Sequence, residues 1–510
     1  MLKSMGSTSP ASPRRTPFRA LTAGAVLLIC GCAVGPRYHA PSPPPVRTYT
    51  AVPVPAAISP APGAPAVQTL QYGAAVNSRW WREFHSPALD RLVTAAIAGN
   101  PGLDAAEATL KEARFNMKAA QGVFYPQVSL GLDAQRLKQS AASNGGVFTP
   151  PLFTLYTGEL SVSYDPDVFG LSRLVSRNEQ AQVDVAADQL QAARLTLAGN
   201  VVNIALNLAA LDEEIAAEKS DIRDQAQLLE LTRKRYALGA DSQLSVLTQA
   251  IQLNSSRAAL PALQQARDQA RHLLAVYLGR FPAQSRAFRP PRLSQLHLPS
   301  RLPVSLPSVL VLRRPDIRAA QAQLRAANAV VGEQVARMYP LLQLTADFGG
   351  ASNTLGSLFD PADRVWALGA PLVMPLFEGG ALEAQKHAAE EAYRAVFANY
   401  RSTVLNAFGN VADVLRALQH DAVAAAAEKR ALREATRAFA VVRTQYRSGA
   451  VDYLSLLTSE VQYDTARIAY IQAQTRQLAD TAALYVSLGG GERISASPGA
   501  HPGSSQESRK

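Results

Sequence analysis

Two copies of one short stretch, placed 210 residues apart, constrain this chain more than any other feature. The first runs Tyr236-Ala237-Leu238-Gly239-Ala240-Asp241-Ser242 and the second Tyr446-Arg447-Ser448-Gly449-Ala450-Val451-Asp452; each lies between two long helical patterns. Tyr-x-x-Gly reads as a helix C-terminus whose glycine takes a left-handed conformation, followed by a new helix start. Each copy is therefore the tip of a helical hairpin. The offset of 210 holds at Leu247/Leu457 and Leu278-Gly279/Leu488-Gly489, while Asn100-Pro101/Arg314-Pro315 and Tyr125-Pro126/Tyr339-Pro340 keep 214. Such a register marks a tandem duplication. Its period is too long for a solenoid unit, so the copies are two structural halves of one assembly.

The helices on either side of the tips are of unusual length: 171–236 with 243–278, and 381–446 with 453–488. A run of 66 residues extends about 100 Å at 1.5 Å per residue, far beyond a globular helix. Val201, Leu208, Ile215, Ile222, Leu229 and Tyr236 recur every seven residues, as do Phe397, Val404, Val411, Leu418, Ala425, Leu432, Phe439 and Tyr446. Since 210 is thirty heptads, both tips emerge in the same helical phase.

Upstream of each helical hairpin the period changes from 3.6 to 2. Val128, Leu130, Leu132 and Ala134 alternate with polar residues or glycine, as do Tyr156, Leu160, Val162 and Tyr164; Leu342, Leu344, Ala346 and Phe348 repeat the device, and Trp366, Leu368, Ala370 and Leu372 mark a fourth segment. Loops rich in Gly, Ser, Asn and Pro, about 139–153 and 349–364, join the members of each pair. One apolar and one polar face fit either a half-buried soluble sheet or an outer-membrane barrel. Four strands cannot close a barrel, and open edges are not tolerated in lipid, so a membrane-spanning sheet requires several copies of the chain. Two copies supply eight strands and three supply twelve; a conducting lumen favours twelve.

Residues 20–30 form an apolar core of signal-peptide length behind Arg14, Arg15 and Arg19, too short for a permanent span. The run ends Ile29-Cys30-Gly31-Cys32, which reads as a lipobox with Cys32 as the acylated residue. Cleavage before Cys32 leaves one cysteine, carrying lipid, and hence no disulfide. Ten prolines between Ala33 and Ala66 favour an extended tether. The formal charge of +11 falls to +7 without the four basic residues of the leader, and the rest are scattered along helices, which argues against a nucleic-acid partner. Seven scattered histidines, no phosphate-cradling glycine loop and no nucleophile elbow argue against an enzyme, a metal site or a cofactor.

Cys32-Ala33-Val34-Gly35-Pro36, Trp80-Trp81, the stretch Leu312-Arg313-Arg314-Pro315-Asp316-Ile317-Arg318-Ala319-Ala320 and both Tyr-x-x-Gly tips resemble the outer-membrane efflux factors, the TolC-like family, and within it the NodT-type lipoprotein branch. The resemblance implies a mainly α fold with β: an internally duplicated protomer of long antiparallel helices plus four β-strands. Three protomers would form a twelve-stranded outer-membrane β-barrel and a twelve-helix periplasmic α-barrel. It also implies a homotrimer in outer-membrane lipid, a periplasmic adaptor protein and an inner-membrane pump of the RND type. The expected divisions are a signal peptide over 1–31, the acylated tether over 32–78, a first repeat over 79–279 (strand hairpin 127–165, helical hairpin 171–278) and a linker over 280–307. A second repeat follows over 308–489 (strand hairpin 341–375, helical hairpin 381–488), with a disordered tail over 490–510. Asp165-Pro166-Asp167 departs from the family's usual strand exit. Type I protein secretion and a non-conducting coiled-coil spacer are the rival readings. Five methionines in the chain favour organic solutes over a heavy-metal relay.

Two sites follow from the resemblance. Leu238, Gly239, Ala240, Ser448, Gly449 and Ala450 present small residues and backbone where an adaptor hairpin can dock, although capping alone also explains the glycines. Relatives place an aspartate after the second tip and some an arginine three residues later, but Thr458 and Val461 stand at those positions. The gate is then expected to be a ring of Leu454 side chains supported by packing of Tyr446, with Asp452 and Glu460 either facing the lumen or solvated outside it.

Overall fold

The computed structural model describes residues 34–61, 64–138, 140, 142 and 152–490. The leader, Cys32 and the tail beyond 490 lie outside the described residues. Two short strands come first, β1 (Ala57–Ile58) and β2 (Gln68–Tyr72), then α1 (Pro87–Gly99), α2 (Pro101–Gln121), β3 (Gln127–Leu137) and β4 (Phe153–Tyr164). The first helical hairpin is α3 (Leu171–Ala237) and α4 (Gln243–Tyr277). After β5 (Arg301–Val304), α5 (Pro307–Arg313) and α6 (Pro315–Ala336) come β6 (Leu341–Leu342), β7 (Leu344–Ser352), β8 (Arg364–Gly369) and β9 (Leu372–Val373). The second hairpin is α7 (Ala381–Arg447) and α8 (Tyr453–Ser487). Every end of the four long helices falls within one residue of the sequence expectation.

Among the described residues, one unit comprises 34–39, 113–182 and 324–396. Its centre is an antiparallel sheet in the order β3-β4-β7-β8. The register aligns Leu130, Leu160, Phe348 and Trp366 in one row across the four strands, with Val128, Val162, Ala346 and Leu368 in the next. The opposite face carries Ser129, Ser161 and Asp347 in one row and Gly131, Glu159 and Gly349 in another. Leu130, Phe348 and Trp366 are exposed in the single chain, as a lipid-facing surface must be. Among the described residues the outer edges of β3 and β8 carry no partner strand, so closure needs further copies of the chain.

The structure corrects the second strand hairpin in two places. Residues 349–352, expected to be loop, continue β7, because Gly349-Gly350 pair with Glu159-Gly158. A Cβ on Gly349 would stand 2.0 Å from the Gly158 carbonyl oxygen, so only glycine permits this approach. Leu372 does not extend β8; Pro371 has no N–H to donate, and after it β9 pairs with β6 in a separate two-stranded sheet.

Among the described residues, the other unit comprises 40–112, 183–323 and 397–490. Val201, Leu208, Ile215 and Leu229 of α3 and Val404, Val411, Leu418 and Ala425 of α7 are buried, so the heptad series are the packed faces. Tyr236, the last member of the first series, and Phe397, the first member of the second, are exposed. Each half clasps the C-terminus of its second hairpin helix. Asn100 Nδ2 donates to the Tyr277 carbonyl at 2.9 Å, and at the equivalent place Arg314 Nη1 donates to the Ser487 carbonyl at 2.8 Å. Arg314 also forms a two-pronged pair with Asp316 at 3.0 and 2.7 Å, which gives the Arg-Pro-Asp stretch its physical role. Trp80 stacks on Tyr485 with ring centroids 5.4 Å apart, and Trp81 Nε1 donates to Asp90.

The proline-rich segment is extended, as its composition demands, but it is held down. Tyr49 Oη donates to the Ser305 carbonyl, Tyr72 Oη to the Val54 carbonyl, and β1 joins β2, which runs parallel to β5. Residues 301–304, expected within a linker, thus supply a strand to a three-stranded sheet.

Candidate functional site

Both tips close with the same hydrogen-bond pattern. Gly239 N donates to the Tyr236 carbonyl at 2.9 Å and Ala240 N to the Arg235 carbonyl at 2.9 Å; Gly449 N and Ala450 N repeat this on Tyr446 and Gln445 at 3.0 and 2.8 Å. This is the Schellman arrangement, and the glycines sit at φ +74° and +78°. Ser242 caps α4 by accepting from Ser245 N, and Asp452 caps α8 by accepting from Ser455 N at 2.9 Å. Leu238, Gly239, Ala240, Ser448, Gly449 and Ala450 are all exposed. A groove of about 840 Å³ runs between the two tips, lined by backbone and side chains of both.

The equivalent tyrosines then part company. Tyr236 is 47% exposed, whereas Tyr446 is 1% exposed. Tyr446 Oη donates to Asp241 Oδ2 at 2.7 Å and lies 3.2 Å from Thr232 Oγ1. Arg235 Nε donates to the same Asp241 oxygen at 2.9 Å, its Nη1 donates to the Tyr446 carbonyl at 2.9 Å, and its guanidinium lies 4.7 Å from the Tyr446 ring centroid. One arginine thus binds both tips. Burial pushes the Tyr446 phenol up to about 12, and the Asp241 carboxylate adds to the rise, so Tyr446 remains a donor at physiological pH.

A second polar layer lies deeper. Tyr453 Oη donates to Gln249 Oε1 at 2.7 Å, Gln249 Nε2 to the Gln225 carbonyl at 3.4 Å, and Gln225 Nε2 to Asp221 Oδ2 at 2.8 Å. Carboxylates gather beyond it. Glu460 is 2% exposed, and burial pushes it up to about 7, with Asp221 and Asp224 adding and Arg443 opposing. Burial, and after it the nearby Asp221, raise Asp464 as well, and burial raises Asp221.

The structure does not bring Leu454 and Tyr446 together. Tyr446 packs with Tyr453 and Leu456 against Leu228, Leu231, Phe439, Val442, Val451 and Leu457, while Leu454 is 66% exposed. Thr458 is exposed one turn on and donates to the Leu454 carbonyl at 2.8 Å. Asp452 is a solvated helix cap, held below the ordinary carboxylate range by the Ser455 hydroxyl and amide. Glu460 faces the helix packing and not bulk solvent. Sequence reasoning missed Arg235, Asp241 and Thr232. At the 210 offset these stand opposite Gln445, Val451 and Val442, so the signal lay in where the copies disagree.

A duplicated protomer with an open-edged sheet, apolar on one face, and long helical hairpins belongs to the class of outer-membrane efflux channels. The family model described as "Outer membrane efflux protein" matches residues 92–280 and 306–490, once per repeat. The chain belongs to that family. It is 30% identical over 419 residues to the pyoverdine export outer membrane protein OpmQ of Pseudomonas putida, covering 81% of this chain and 88% of that one. It is 26% identical over 481 residues to the cation efflux system protein CusC of Escherichia coli K12, covering 93% of this chain and 100% of the relative. The structure of the outer-membrane channel OprN matches with a TM-score of 0.81 at 26% identity over 90% of this chain and 99% of that one. The protein is therefore an outer-membrane channel of a tripartite efflux system, with the trimer-forming fold of the family. Its relatives are channels, not enzymes.

Proposed function

We propose that the paired tips are both the gate and the adaptor-docking end of this channel, and that Arg235, Asp241 and Tyr446 form the lock. The carrying observation is that one guanidinium holds a carboxylate on the first tip and a carbonyl and ring on the second. Breaking it frees one hairpin from the other, which is what widening a helical tunnel at its end requires. Leu454 and Thr458 project from the exposed face of α8, where three-fold repetition makes a ring of each, and Leu454 supplies the apolar constriction. The adaptor reads the exposed Leu238, Gly239, Ala240, Ser448, Gly449 and Ala450, and the inner-membrane partner is an RND-type pump. Cys32 carries the lipid anchor.

The cargo is organic. Five methionines in the whole chain are few for a heavy-metal relay, which favours organic solutes. Export of pyoverdine, named for OpmQ, is a better guide than the cation efflux named for CusC.

Planar-bilayer recording of the purified trimer tests the lock. Arg235→Ala should raise the conducting fraction by more than about tenfold per protomer, because the charge-assisted bond to Asp241, the bond to the Tyr446 carbonyl and the stacked cation are all lost. An unchanged fraction refutes the lock. Docking is tested separately: Ala240→Arg and Ala450→Arg should abolish efflux while conductance stays at the wild-type level, and full efflux in both refutes it.

A further inference from the structure

A cavity of about 380 Å³ lies where β4 gives way to α3, in the unit that carries the sheet. Its making starts at the atypical strand exit. Asp167 takes φ +48°, accepts from Ser172 N and Arg173 N, and so starts α3, and Val168 and Phe169 of this turn line the cavity. Phe169 stacks on Tyr339 at 5.3 Å. Phe169, Tyr339, Leu342 and Val373 give the cavity apolar walls, and Asp165, Glu378 and Arg337 also line it. Leu376 and Phe377, just beyond, are almost fully exposed, so an apolar surface continues from it.

The chain's own N-terminal end is held at this cavity. Val34 N donates to the carbonyl of Phe169, which lines the cavity, at 3.4 Å. Gly35, at φ +105°, packs so closely on Gly332 that a Cβ there would stand 2.8 Å from the Gly332 Cα, and Asn328 Nδ2 donates to the Pro36 carbonyl at 3.1 Å. Cys32 is two residues before Val34, at most about 7 Å of extended chain.

We infer that one acyl chain of lipidated Cys32 occupies this cavity, so that the anchor is seated on the protein itself. The inference rests on the proposed acylation of Cys32. Charge selects this occupant over a free phospholipid. The lining holds the carboxylates of Asp165, Asp167 and Glu378 against the single cation of Arg337, which disfavours a phosphate, whereas the thioether-linked glyceride on a cysteine carries no charge.

Photo-crosslinking in outer membranes of cells fed an alkyne-tagged fatty acid tests it on the full chain. Benzoylphenylalanine replaces Leu342 or, in a second variant, Val373, and replaces Leu368 on the apolar sheet face as control; trimer yield on native gels verifies folding. The Leu342 and Val373 probes should join the acylated N-terminal peptide at least tenfold more than the Leu368 probe, and Cys32→Ser should abolish the product. If mass spectrometry finds Cys32 acylated but both probes capture free phospholipid or no lipid, the seating is wrong and the anchor stands. A mature N-terminus without acyl chains overturns the anchor, and the seating with it.

Discussion

Replacing Tyr446 by Phe removes one oxygen from the lock and leaves the ring that packs on Tyr453 and Leu456. The lost bond is to a carboxylate at 2.7 Å from a side chain almost wholly buried, which puts its net worth at about 1.5–3 kcal/mol. The lower end applies, because Asp241 keeps Arg235 and Thr232 keeps the Leu228 carbonyl, so no buried group is left without a partner. About 1.5 kcal/mol shifts the open-to-closed ratio of one protomer roughly tenfold. If the three protomers open together the shifts multiply, to about a thousandfold; if each hairpin moves alone, subconductance levels appear and each is populated about tenfold more often. Single-channel recording separates these regimes. Tyr236→Phe is the internal control: it makes the same chemical change at the matching position of the other tip, where the side chain is exposed, and the opening probability should not move. An effect of equal size in both variants, or in neither, would refute the reasoning that the lock lies on the second-tip tyrosine.

Three other predictions test different parts of the molecule. Glu460, Asp464 and Asp221 are raised in the folded chain, so their contribution to stability is complete below the ordinary carboxylate range, near pH 4, and is lost as pH rises through about 7; the melting temperature of the trimer should fall between pH 5 and 8. Glu460→Gln should flatten that dependence by on the order of 2–3 kcal/mol, seen as a smaller shift in denaturant midpoint between the two pH values. Arg314→Lys cannot keep both the two-pronged Asp316 pair and the Ser487 carbonyl, and should cost about 2 kcal/mol by urea unfolding, with a larger loss for Arg314→Ala. Gly449→Ala places a Cβ in left-handed backbone with open space around it, so strain alone acts, costing about 1 kcal/mol; a fall several times larger would mean the tip is more tightly packed than its open surroundings indicate.

What was legible followed from period and punctuation. The long helices end where Tyr-x-x-Gly and Ser242 or Asp452 place caps, because capping is local chemistry that the neighbouring residues fix. Strand pairing in the first hairpin was equally readable, since alternation sets which face each side chain takes. The Gly349-Gly350 extension was not, because its cause is the backbone of Gly158 on a partner strand far away in sequence. The same limit governs the site. That the helix phase brings Tyr446 into the packed seam and turns Leu454 out depends on how two hairpins separated by 210 residues meet, and a heptad series does not fix that once a polar stripe intrudes. Gln225 and Thr232, seven residues apart and both fully buried, are that stripe, and past it Tyr236 is exposed although its apolar predecessor Leu229 is buried.

Duplication explains why the divergence sits where it does. Two identical tips would carry either two arginines or none, and a pair of like charges facing each other in a buried seam would repel. A lock between equivalent hairpins therefore needs the copies to be complementary, not alike. This chain achieves that with three differences at matched positions: Arg235 where the second copy has Gln445, Asp241 where it has Val451, and Thr232 where it has Val442. All three polar groups stand on the first tip and all three apolar or neutral counterparts on the second, whose contribution is the tyrosine both copies share. The tyrosine is thus common to both halves, while its burial and bonding belong to one. Moving the polar set to the other copy, with Arg235→Gln, Asp241→Val and Thr232→Val combined with Gln445→Arg, Val451→Asp and Val442→Thr, should bring Tyr236 into the seam and release Tyr446. Differential iodination of the two tyrosines reads this directly: Tyr236 is the more reactive in the natural chain, and the order should reverse in the exchanged one. Persistence of the original order would mean that the surrounding helix packing, and not these three pairs, decides which tyrosine is locked.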